Sequence, residues 1–510
     1  MTTGFIIGAG GGGTSGNGLP PSICKNLRIK INGTSVKLNW QDPNDTILDR
    51  QYLCSWAGTK IVKKLGAFPE NEDDGILVVN NTAHNQYLKT AYEDIIALGE
   101  DWKYAAFPYS TNEVVCYNKK NQFINAIIYE YLQNPNEDNP DLAITYPIGC
   151  VNEDFIPMGL NSEGVWSYGD WEASWIMQGI YPCMVKYDTT LAYKLNKNDL
   201  NYKEDGVTPS DIANVNFEGN AFTRFPQIWI KRVKEDTLWH VYVSNLQVDD
   251  SYHCFTHINV NGELVDDCYI SIYQPAIVND VARSIAGQTI SVNRTRQADR
   301  TSAQANGLGY DLLTYGQVQM LQTITILMTK SLNTQAKLGY GISNTSGVSC
   351  TTGTMRTAGG FAGKPGINAP MVAYWIENLI GNCWKAIVGA MYTNGTFKYK
   401  LAHNTSDGST VTGYNFDAVG YIDSMIAFSG SSGGYINNAT MTDKAVIPLS
   451  ASGSATTKYC DVLWWANGGS ALAFGAFGST TLSGLFALDV HDAPSDTSAY
   501  FGASLSCVPL

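Results

Sequence analysis

Asp489, His491 and Asp492 are the residues of this sequence whose types and spacing are best suited to chemistry. A neutral imidazole with two carboxylates can bind a divalent metal ion. The same residue types on one short segment are also typical of a polar surface cluster that binds nothing. We favour the polar cluster, so the sequence predicts no metal site, no cofactor and no catalytic residue.

The cysteines do not suggest covalent chemistry either. The chain has 11 of them, scattered and without a C-x-x-C motif. This pattern favours buried free thiols over disulfides or a zinc site. We therefore expect a protein that is not an enzyme.

The segment that must position the polar cluster has an unusual composition. From residue 459 to the C-terminus it contains no Lys, Arg or Glu, while aromatic and small residues are abundant. Residues 486–491 (FALDVH) place Phe, Leu and Val on one face of a strand and Ala, Asp and His on the other. Residues 500–505 repeat the alternation. Short strands with one apolar face, joined by glycine-rich turns, suit a rigid frame that displays diverse side chains.

The composition of the whole chain sets the class of protein. At 510 residues the chain is long enough for two to four domains. Charged residues make up 15 %, and the 49 glycines favour β-rich structure with many turns. The net charge of −13 argues against nucleic acid as a partner. No apolar run is long enough to span a membrane, so we expect no membrane insertion.

The N-terminal half reads as a leader, a sandwich and a connector. Residues 1–22 are a flexible, Gly-rich leader. Residues 23–125 predict a β-sandwich. Its expected strands lie at 36–40, 58–64, 76–79 and 102–107. Residues 126–205 predict a linker and a small β-rich connector, and a short helix is expected at 123–132, where this region begins.

The C-terminal part, residues 206–510, reads as one large α+β domain. Its first expected strands lie at 225–232, 238–243 and 268–273. Two helices are expected after them, at 293–305 and 315–332, and the second has apolar residues at helical spacing. The predicted fold class is therefore mainly β and multidomain.

Two motifs of the N-terminal half resemble a known module. The sequence LNWQDP at 38–43 and the later WKYAAFPYS at Trp102–Ser110 resemble a fibronectin type III domain of the kind found in phage tail proteins. The resemblance implies a fibronectin III-like β-sandwich that acts as a spacer.

The C-terminal part resembles a second family. The sequence YWIENLIGNCW at 374–384, with LTYGQVQ at 313–319, resembles the C-type lectin fold of the formylglycine-generating-enzyme type, which phage tail-tip proteins use. The segments SGLFALDVHDAPS at 483–495 and FGASLS at 501–506 resemble variable proteins of diversity-generating retroelements, typified by phage major tropism determinants. This implies a hypervariable segment at about 460–506 and a homotrimer. A calcium lectin is disfavoured, because the Glu-Pro-Asn and Trp-Asn-Asp strings are missing.

The terminal composition bears on the retroelement link. Such elements mutate template adenines, and mutated Asn codons never yield Lys, Glu, Gln, Met or Trp. None of these five residue types occurs after Trp465. A strand region of low charge explains the same composition, and both interpretations stay open.

Residues that point outward from this segment are the predicted ligand-binding residues. Strand parity and turn positions place Trp464 in the core and assign twelve residues to the surface. These are Trp465, Asn467, Phe477, Ser479, Thr480, Leu482, Asp489, His491, Asp492, Thr497, Ala499 and Tyr500. Core packing is the alternative for the aromatic members of this set. Exposed Tyr, Trp and His are the side chains that make interface hot spots.

The sequence thus predicts a phage tail-tip or tail-fibre receptor-binding protein. Its expected partners are a bacterial cell-surface protein or glycan and, through the N-terminus, other tail proteins. Its expected location is the virion, with release by host lysis because no signal peptide is recognisable. A purely structural virion protein and a glycan-acting tail enzyme are the alternatives.

Overall fold

The computed structural model describes residues 19–48, 51–123, 126–343, 351–365, 368–402, 422–424, 427–429, 433–475 and 483–510. The chain divides into two compact units. The first comprises Met1–Ile127 with Leu246–Val248, and the second Ile128–Asn245 with Asp249–Leu510. Strands dominate both units, which confirms the mainly β, multidomain class. Most of the predicted leader, residues 1–18, lies outside the described residues.

The first unit contains nine strands and one short 3₁₀ helix, Lys119–Asn121, among the described residues. The strands are β1 (Lys25–Asn32), β2 (Ser35–Gln41), β3 (Thr46–Leu48), β4 (Gln51–Cys54), β5 (Trp56–Leu65), β6 (Ile76–Asn81), β7 (Tyr92–Ile95), β8 (Trp102–Ser110) and β9 (Gln122–Phe123). They form sheets of order β1-β2-β7 and β6-β5-β8-β9, with β3-β4 as a separate hairpin. The strands predicted at 36–40, 58–64, 76–79 and 102–107 are confirmed.

One core joins the two larger sheets of this unit. Val36, Leu38 and Trp40 of β2 pack with Ile61 of β5 and Tyr104 of β8, and all five are buried. Because alternate residues of facing sheets contribute to the same core, the unit has two layers. This is the arrangement expected of a β-sandwich.

The second unit contains the other 27 strands found in the described residues. They are β10 (Ile128–Gln133), β11 (Ile144–Thr145), β12 (Gly159–Leu160), β13 (Trp166–Ser167), β14 (Tyr181–Lys186), β15 (Leu191–Lys194), β16 (Gly219–Phe225), β17 (Trp229–Glu235), β18 (Leu238–Ser244), β19 (Cys268–Ser271), β20 (Ala276–Val278), β21 (Val281–Arg283), β22 (Tyr310–Thr314), β23 (Phe361–Ala362), β24 (Val372–Ala373), β25 (Ile376–Glu377), β26 (Trp384–Thr393), β27 (Thr396–Tyr399), β28 (Ile422–Ser424), β29 (Gly433–Tyr435), β30 (Asn438–Met441), β31 (Val446–Ser450), β32 (Val462–Trp465), β33 (Gly469–Ala473), β34 (Leu488–Val490), β35 (Phe501–Ala503) and β36 (Leu505–Cys507).

Four α-helices and a 3₁₀ helix lie in the described part of the second unit. They are α1 (Trp175–Gly179), α2 (Arg296–Gln304), α3 (Tyr315–Thr329), α4 (Thr334–Leu338) and the 3₁₀ helix Phe255–His257. The helices predicted at 293–305 and 315–332 are confirmed as α2 and α3. Every residue of α3 is buried, and a capping box of Thr314 and Gln317 begins the helix. Lys330 ends it in the left-handed conformation.

A 14-stranded sheet forms the frame of this unit. Its main path runs β15-β14-β16-β19-β36-β22-β26-β33-β34-β32-β29, and β35 pairs with β26 off this path. Most pairings are antiparallel, but β22 with β26, β26 with β35, and β32 with β34 are parallel. A smaller sheet has the order β11-β10-β18-β17.

The structure corrects two predictions for the region after residue 123. The helix predicted at 123–132 is wrong, because residues from Ile128 onward form β10, whose side chains alternate in burial. Its Ile and Tyr residues have high strand propensity, which outweighs a short helical pattern. The boundary predicted at residue 205 falls inside the second unit, since β14 of the expected connector pairs with β16 along six residues.

Two further features concern membranes and thiols. No helix within the described residues has the length and apolarity needed to cross a lipid bilayer. The ten described cysteines are free thiols, and all except Cys150 are buried, as expected from their scatter. Burial raises the thiol pKa of Cys183 and Cys507, so these groups are poor nucleophiles at neutral pH.

Candidate functional site

A pocket of about 400 Å³ lies at one end of the strands formed by the C-terminal segment. We call it the terminal pocket. Its lining residues come from two parts of the sequence, the start of β26 and the stretch from β32 to β35. They are Trp384, Trp464, Asp489, His491, Asp492, Ser498, Tyr500 and Phe501.

Two parallel strand pairs bring these residues together. Trp464 of β32 lies directly opposite Asp489 of β34. Trp384 of β26 lies opposite Phe501 of β35, and its backbone N–H donates to the carbonyl oxygen of Tyr500 at 2.8 Å. Trp384, Trp464, Asp489 and Phe501 therefore lie on hydrogen-bonded strands, which hold this part of the pocket wall in place.

The two indole rings form the apolar wall of the terminal pocket. Trp384 and Trp464 meet edge to face, with ring centroids 5.9 Å apart. Each ring lies against a glycine: a Cβ atom built on Gly475 would be 2.0 Å from the Trp384 ring, and one on Gly433 would be 2.0 Å from Trp464. Only residues without a side chain fit at these two positions.

Arg296 of α2 holds the loop between β34 and β35. Its backbone N–H donates to the carbonyl of Pro494 at 3.1 Å, and its Nη1 donates to the carbonyl of Asp496 at 2.9 Å. The guanidinium also lies over the ring of Phe501, 4.2 Å from the centroid. Because Arg296 is buried, these contacts fix a loop that carries four of the pocket residues, His491, Asp492, Ser498 and Tyr500.

The polar side of the pocket consists of Asp489, His491 and Asp492. Asp489 is 8 % exposed, and its Oδ1 accepts a hydrogen bond of 2.7 Å from the backbone N–H of His491. Burial, together with a smaller contribution from the neighbouring Asp492 charge, raises the pKa of Asp489 to about 7. The His491 side chain is 57 % exposed, and its Nδ1 lies 3.7 Å from Oδ1 of Asp492.

Four of the twelve predicted ligand-binding residues line the terminal pocket: Asp489, His491, Asp492 and Tyr500. Thr497 and Ala499 lie on the same loop, and Asn467 is exposed in the turn before β33, but none of these three contributes to the lining. Phe477, Ser479, Thr480 and Leu482 lie outside the described residues.

The structure reverses the predicted positions of the two adjacent tryptophans. Trp465 is buried and meets Phe428 edge to face at 5.3 Å, so it belongs to the core. Trp464, which the sequence assigns to the core, lines the pocket instead. Adjacent residues of a strand point to opposite faces, so one misplaced residue exchanges both assignments.

Sequence reasoning missed Trp384, Trp464, Ser498 and Phe501. Trp384 falls in the YWIENLIGNCW motif, but strand pairing alone places it beside a segment more than 70 residues later. The sequence offers one signal for the two tryptophans. Each of them packs against a glycine, Trp384 against Gly475 and Trp464 against Gly433.

The sequence matches no protein-family model and no curated protein. What the pocket can bind is therefore inferred from its lining side chains. Aromatic faces can stack against a ring or an apolar group. The carboxylates accept hydrogen bonds, and the imidazole either donates or accepts them. This combination suits non-covalent binding of a ligand that carries both apolar faces and hydroxyl or amino groups.

Proposed function

We propose that this chain is a phage tail receptor-binding protein whose terminal pocket recognises a ligand on the bacterial surface. The observation that carries the proposal is the pocket itself. It combines the Trp384 ring with Trp464, Asp489 and His491, and the last three belong to the segment whose composition suits display of diverse side chains. A concave site with apolar walls and a few polar groups is the usual form of a ligand site.

The pocket favours recognition over a purely structural role. A structural virion protein has no need for a half-buried Tyr500 and an exposed His491 around a cavity of this volume. Side chains of these types supply much of the binding energy in interfaces. Several copies on one particle would add avidity to a weak individual site.

The finer assignments belong to the same proposal. The first unit is a fibronectin III-like spacer that joins other tail proteins through its N-terminal side. The second unit has a C-type lectin fold of the formylglycine-generating-enzyme type and assembles as a homotrimer. A retroelement diversifies residues of about 460–506, while the glycines beneath the indoles stay unchanged because no other residue fits there.

Binding of the full chain to cells and to immobilised bacterial glycans tests the main proposal. We expect Trp464→Ala and Tyr500→Ala each to weaken binding about thirtyfold or more, since central aromatic residues contribute about 2 kcal/mol or more. Tyr202→Ala is the matched control, because Tyr202 is exposed outside the pocket. Glycan capture and capture through a cell-surface protein are separate arms. Failure to bind in both arms, or equal loss in the control, would contradict the proposal.

Two genetic and hydrodynamic measurements test the finer assignments. Diversification requires a near-copy of the 3′ coding region that differs at adenines, beside a reverse transcriptase gene. A homotrimer requires a solution mass about three times the 55.6 kDa of the chain. If no such near-copy exists, the proposed diversification is contradicted. If the solution mass is that of a monomer, the proposed homotrimer is contradicted. Neither result bears on ligand binding by the terminal pocket.

A glycan-acting enzyme is the second candidate, and one observation favours it. Asp489 and Asp492 lie in one pocket, and the raised pKa of Asp489 suits a general acid. Retaining glycosidases place two carboxyl groups about 5–5.5 Å apart. Turnover of a bound glycan that is abolished in Asp489→Asn would support this candidate. Binding without turnover favours the receptor-binding role.

A further inference from the structure

Aromatic side chains form much of the wall of the terminal pocket. Four of its eight lining residues are aromatic: Trp384, Trp464, Tyr500 and Phe501. The two indole planes are inclined at 68° to each other, so the rings are not stacked face to face. The volume of about 400 Å³ falls within the range of about 300–1,000 Å³ that is usual for small-ligand sites. The pocket therefore has room for a ligand group that contacts several rings at once.

The charge of this lining is acidic. Asp489 and Asp492 belong to it, and among the described residues it contains no Lys or Arg. The Arg296 charge also acts on Asp489, but burial outweighs it, because the pKa of Asp489 is raised to about 7. Above that pH the ionised Asp489 adds its charge to that of Asp492, and two carboxylates exceed one guanidinium. Charge complementarity therefore favours a positively charged ligand over a neutral or an anionic one.

One ring of the pocket wall already contacts a cation. The Arg296 guanidinium lies over Phe501, 4.2 Å from the ring centroid. Attraction between a cation and an aromatic face extends to about 6 Å from the centroid, and indole is a better partner than phenyl. Trp384 and Trp464 therefore give the cavity the two rings that are best suited to a second cation.

We propose that the terminal pocket binds a quaternary ammonium group, such as that of choline, carried by the bacterial-surface ligand. A quaternary ammonium ion has no N–H group, so it is stabilised by aromatic faces and nearby negative charge without a set of hydrogen-bond acceptors. A primary ammonium group carries three N–H donors, and aromatic rings accept hydrogen bonds only weakly. The inference rests on the proposed function for the source of the ligand, whereas selectivity for the cation depends on the pocket alone.

Calorimetric titration of the full chain with choline tests the inference, at pH 8 so that Asp489 is ionised. The comparison ligand is the neutral isostere of choline, in which a tert-butyl group replaces the trimethylammonium group. We expect one choline per chain and at least about tenfold weaker binding of the isostere, because only choline gains from the ring faces and the carboxylates as a cation. Ethanolamine, a primary ammonium, should also bind more weakly than choline. Absence of choline binding, equal affinity for the isostere, or tighter binding of ethanolamine would each overturn the inference.

Two variants locate the binding in the terminal pocket. Trp464→Leu keeps an apolar side chain but removes the ring, so choline affinity should fall about tenfold while affinity for the isostere changes much less. Asp492→Asn should weaken choline binding about threefold and leave the isostere unaffected. Trp102→Leu and Asp154→Asn, which make the same changes in other parts of the chain, are the matched controls. Equal losses of choline affinity in the pocket variants and the controls would contradict binding in the pocket.

Competition separates this inference from the proposed function. Free choline should displace the chain from the cells or glycans to which it binds. Cell binding that saturating choline does not reduce would overturn the inference and leave the receptor-binding role intact. Choline binding by a chain that captures no cell or glycan would contradict the receptor-binding role and leave the cation selectivity of the pocket intact.

Discussion

Two clusters in the second unit contain one histidine and acidic residues, and they differ in how their polar atoms are satisfied. The sheet cluster consists of Glu130, Glu235, His240 and Tyr242. In it, Nε2 of His240 lies 2.8 Å from Glu130, and Nδ1 lies 2.9 Å from the Tyr242 hydroxyl. In the terminal pocket, the ring of His491 has no hydrogen bond to any described residue, and within the same part of the chain only Oδ1 of Asp489 accepts one.

The difference shows how a structural cluster can be told from a binding site. At His240 the sheet itself supplies both partners, because Glu130 and Tyr242 lie directly opposite each other on β10 and β18. At His491 the chain has left β34 and entered a loop, where no neighbouring strand supplies a partner. Unused hydrogen-bonding capacity beside a cavity is what a ligand or an ion can employ.

A third histidine, which lies in neither cluster, gives the largest expected effect on stability. His257 is fully buried, and burial lowers its pKa from 6.5 to about 4. Between pH 6.5 and 4 the imidazole is protonated in the unfolded chain but stays neutral in the folded one. The free energy of unfolding therefore decreases as the pH falls through this range. A fall in pKa from 6.5 to about 4 corresponds to about 3 kcal/mol.

Comparison of the wild type with His257→Gln isolates this effect. Buried carboxyl groups with raised pKa values, such as Asp461 and Asp299, act in the opposite direction in both proteins and cancel. We expect the difference in free energy of unfolding between the two proteins to shrink by about 3 kcal/mol from pH 7 to pH 4. Urea denaturation at each pH measures it. A difference independent of pH would show that the imidazole is not held neutral.

Gly475→Ala tests the terminal pocket by displacing one of its walls. The added methyl group would overlap the Trp384 ring, so the ring must move, at a cost of about 1–3 kcal/mol in stability. We also expect loss of ligand binding, since Trp384 forms one wall of the pocket. Urea denaturation and the cell-binding assay measure the two effects. Gly395→Ala, in a turn with open space around it, should leave binding intact.

Glu130→Ala tests the sheet cluster by removing one of its hydrogen bonds. It removes the partner of His240 Nε2, whose side chain is 11 % exposed, and the expected loss of stability is about 1–2 kcal/mol. Glu130→Gln, which keeps an acceptor at the same place, should lose less. Equal losses in the two variants would indicate that packing, rather than the hydrogen bond, explains the effect.

Asp492→Asn has the smallest expected effect on stability. Because Asp492 lies on a loop at the pocket rim rather than in a sheet, we expect a change within about 0.5 kcal/mol. A loss as large as that of Glu130→Ala would mean that the pocket cluster, like the sheet cluster, serves the fold. The same denaturation measurement decides between these results.

Local patterns predicted much of the fold. Alternation within β2, β5 and β8 and the apolar spacing in α3 were sufficient, because these signals depend on neighbours along the chain. The helix predicted at 123–132 was wrong where a short segment carried two competing patterns. The fibronectin-like and lectin-like assignments stay predictions.

The candidate site was only partly predictable. Asp489, His491 and Asp492 are close in sequence, so their proximity needs no knowledge of the fold. Strand parity separated Leu488 and Val490 from His491, but it exchanged Trp464 and Trp465. In a strand with two adjacent tryptophans, either ring suits either face, and local hydropathy does not distinguish them.

The sequence by itself determined the strand character of the terminal segment and the grouping of its three polar residues, because both are properties of consecutive residues. Only the tertiary structure decided that Trp384 meets Phe501, that Asp489 is buried, and that Trp464 faces a cavity. These facts depend on parallel pairing between distant strands. The free energy of such pairing is shared over the whole sheet and is not encoded in any short segment.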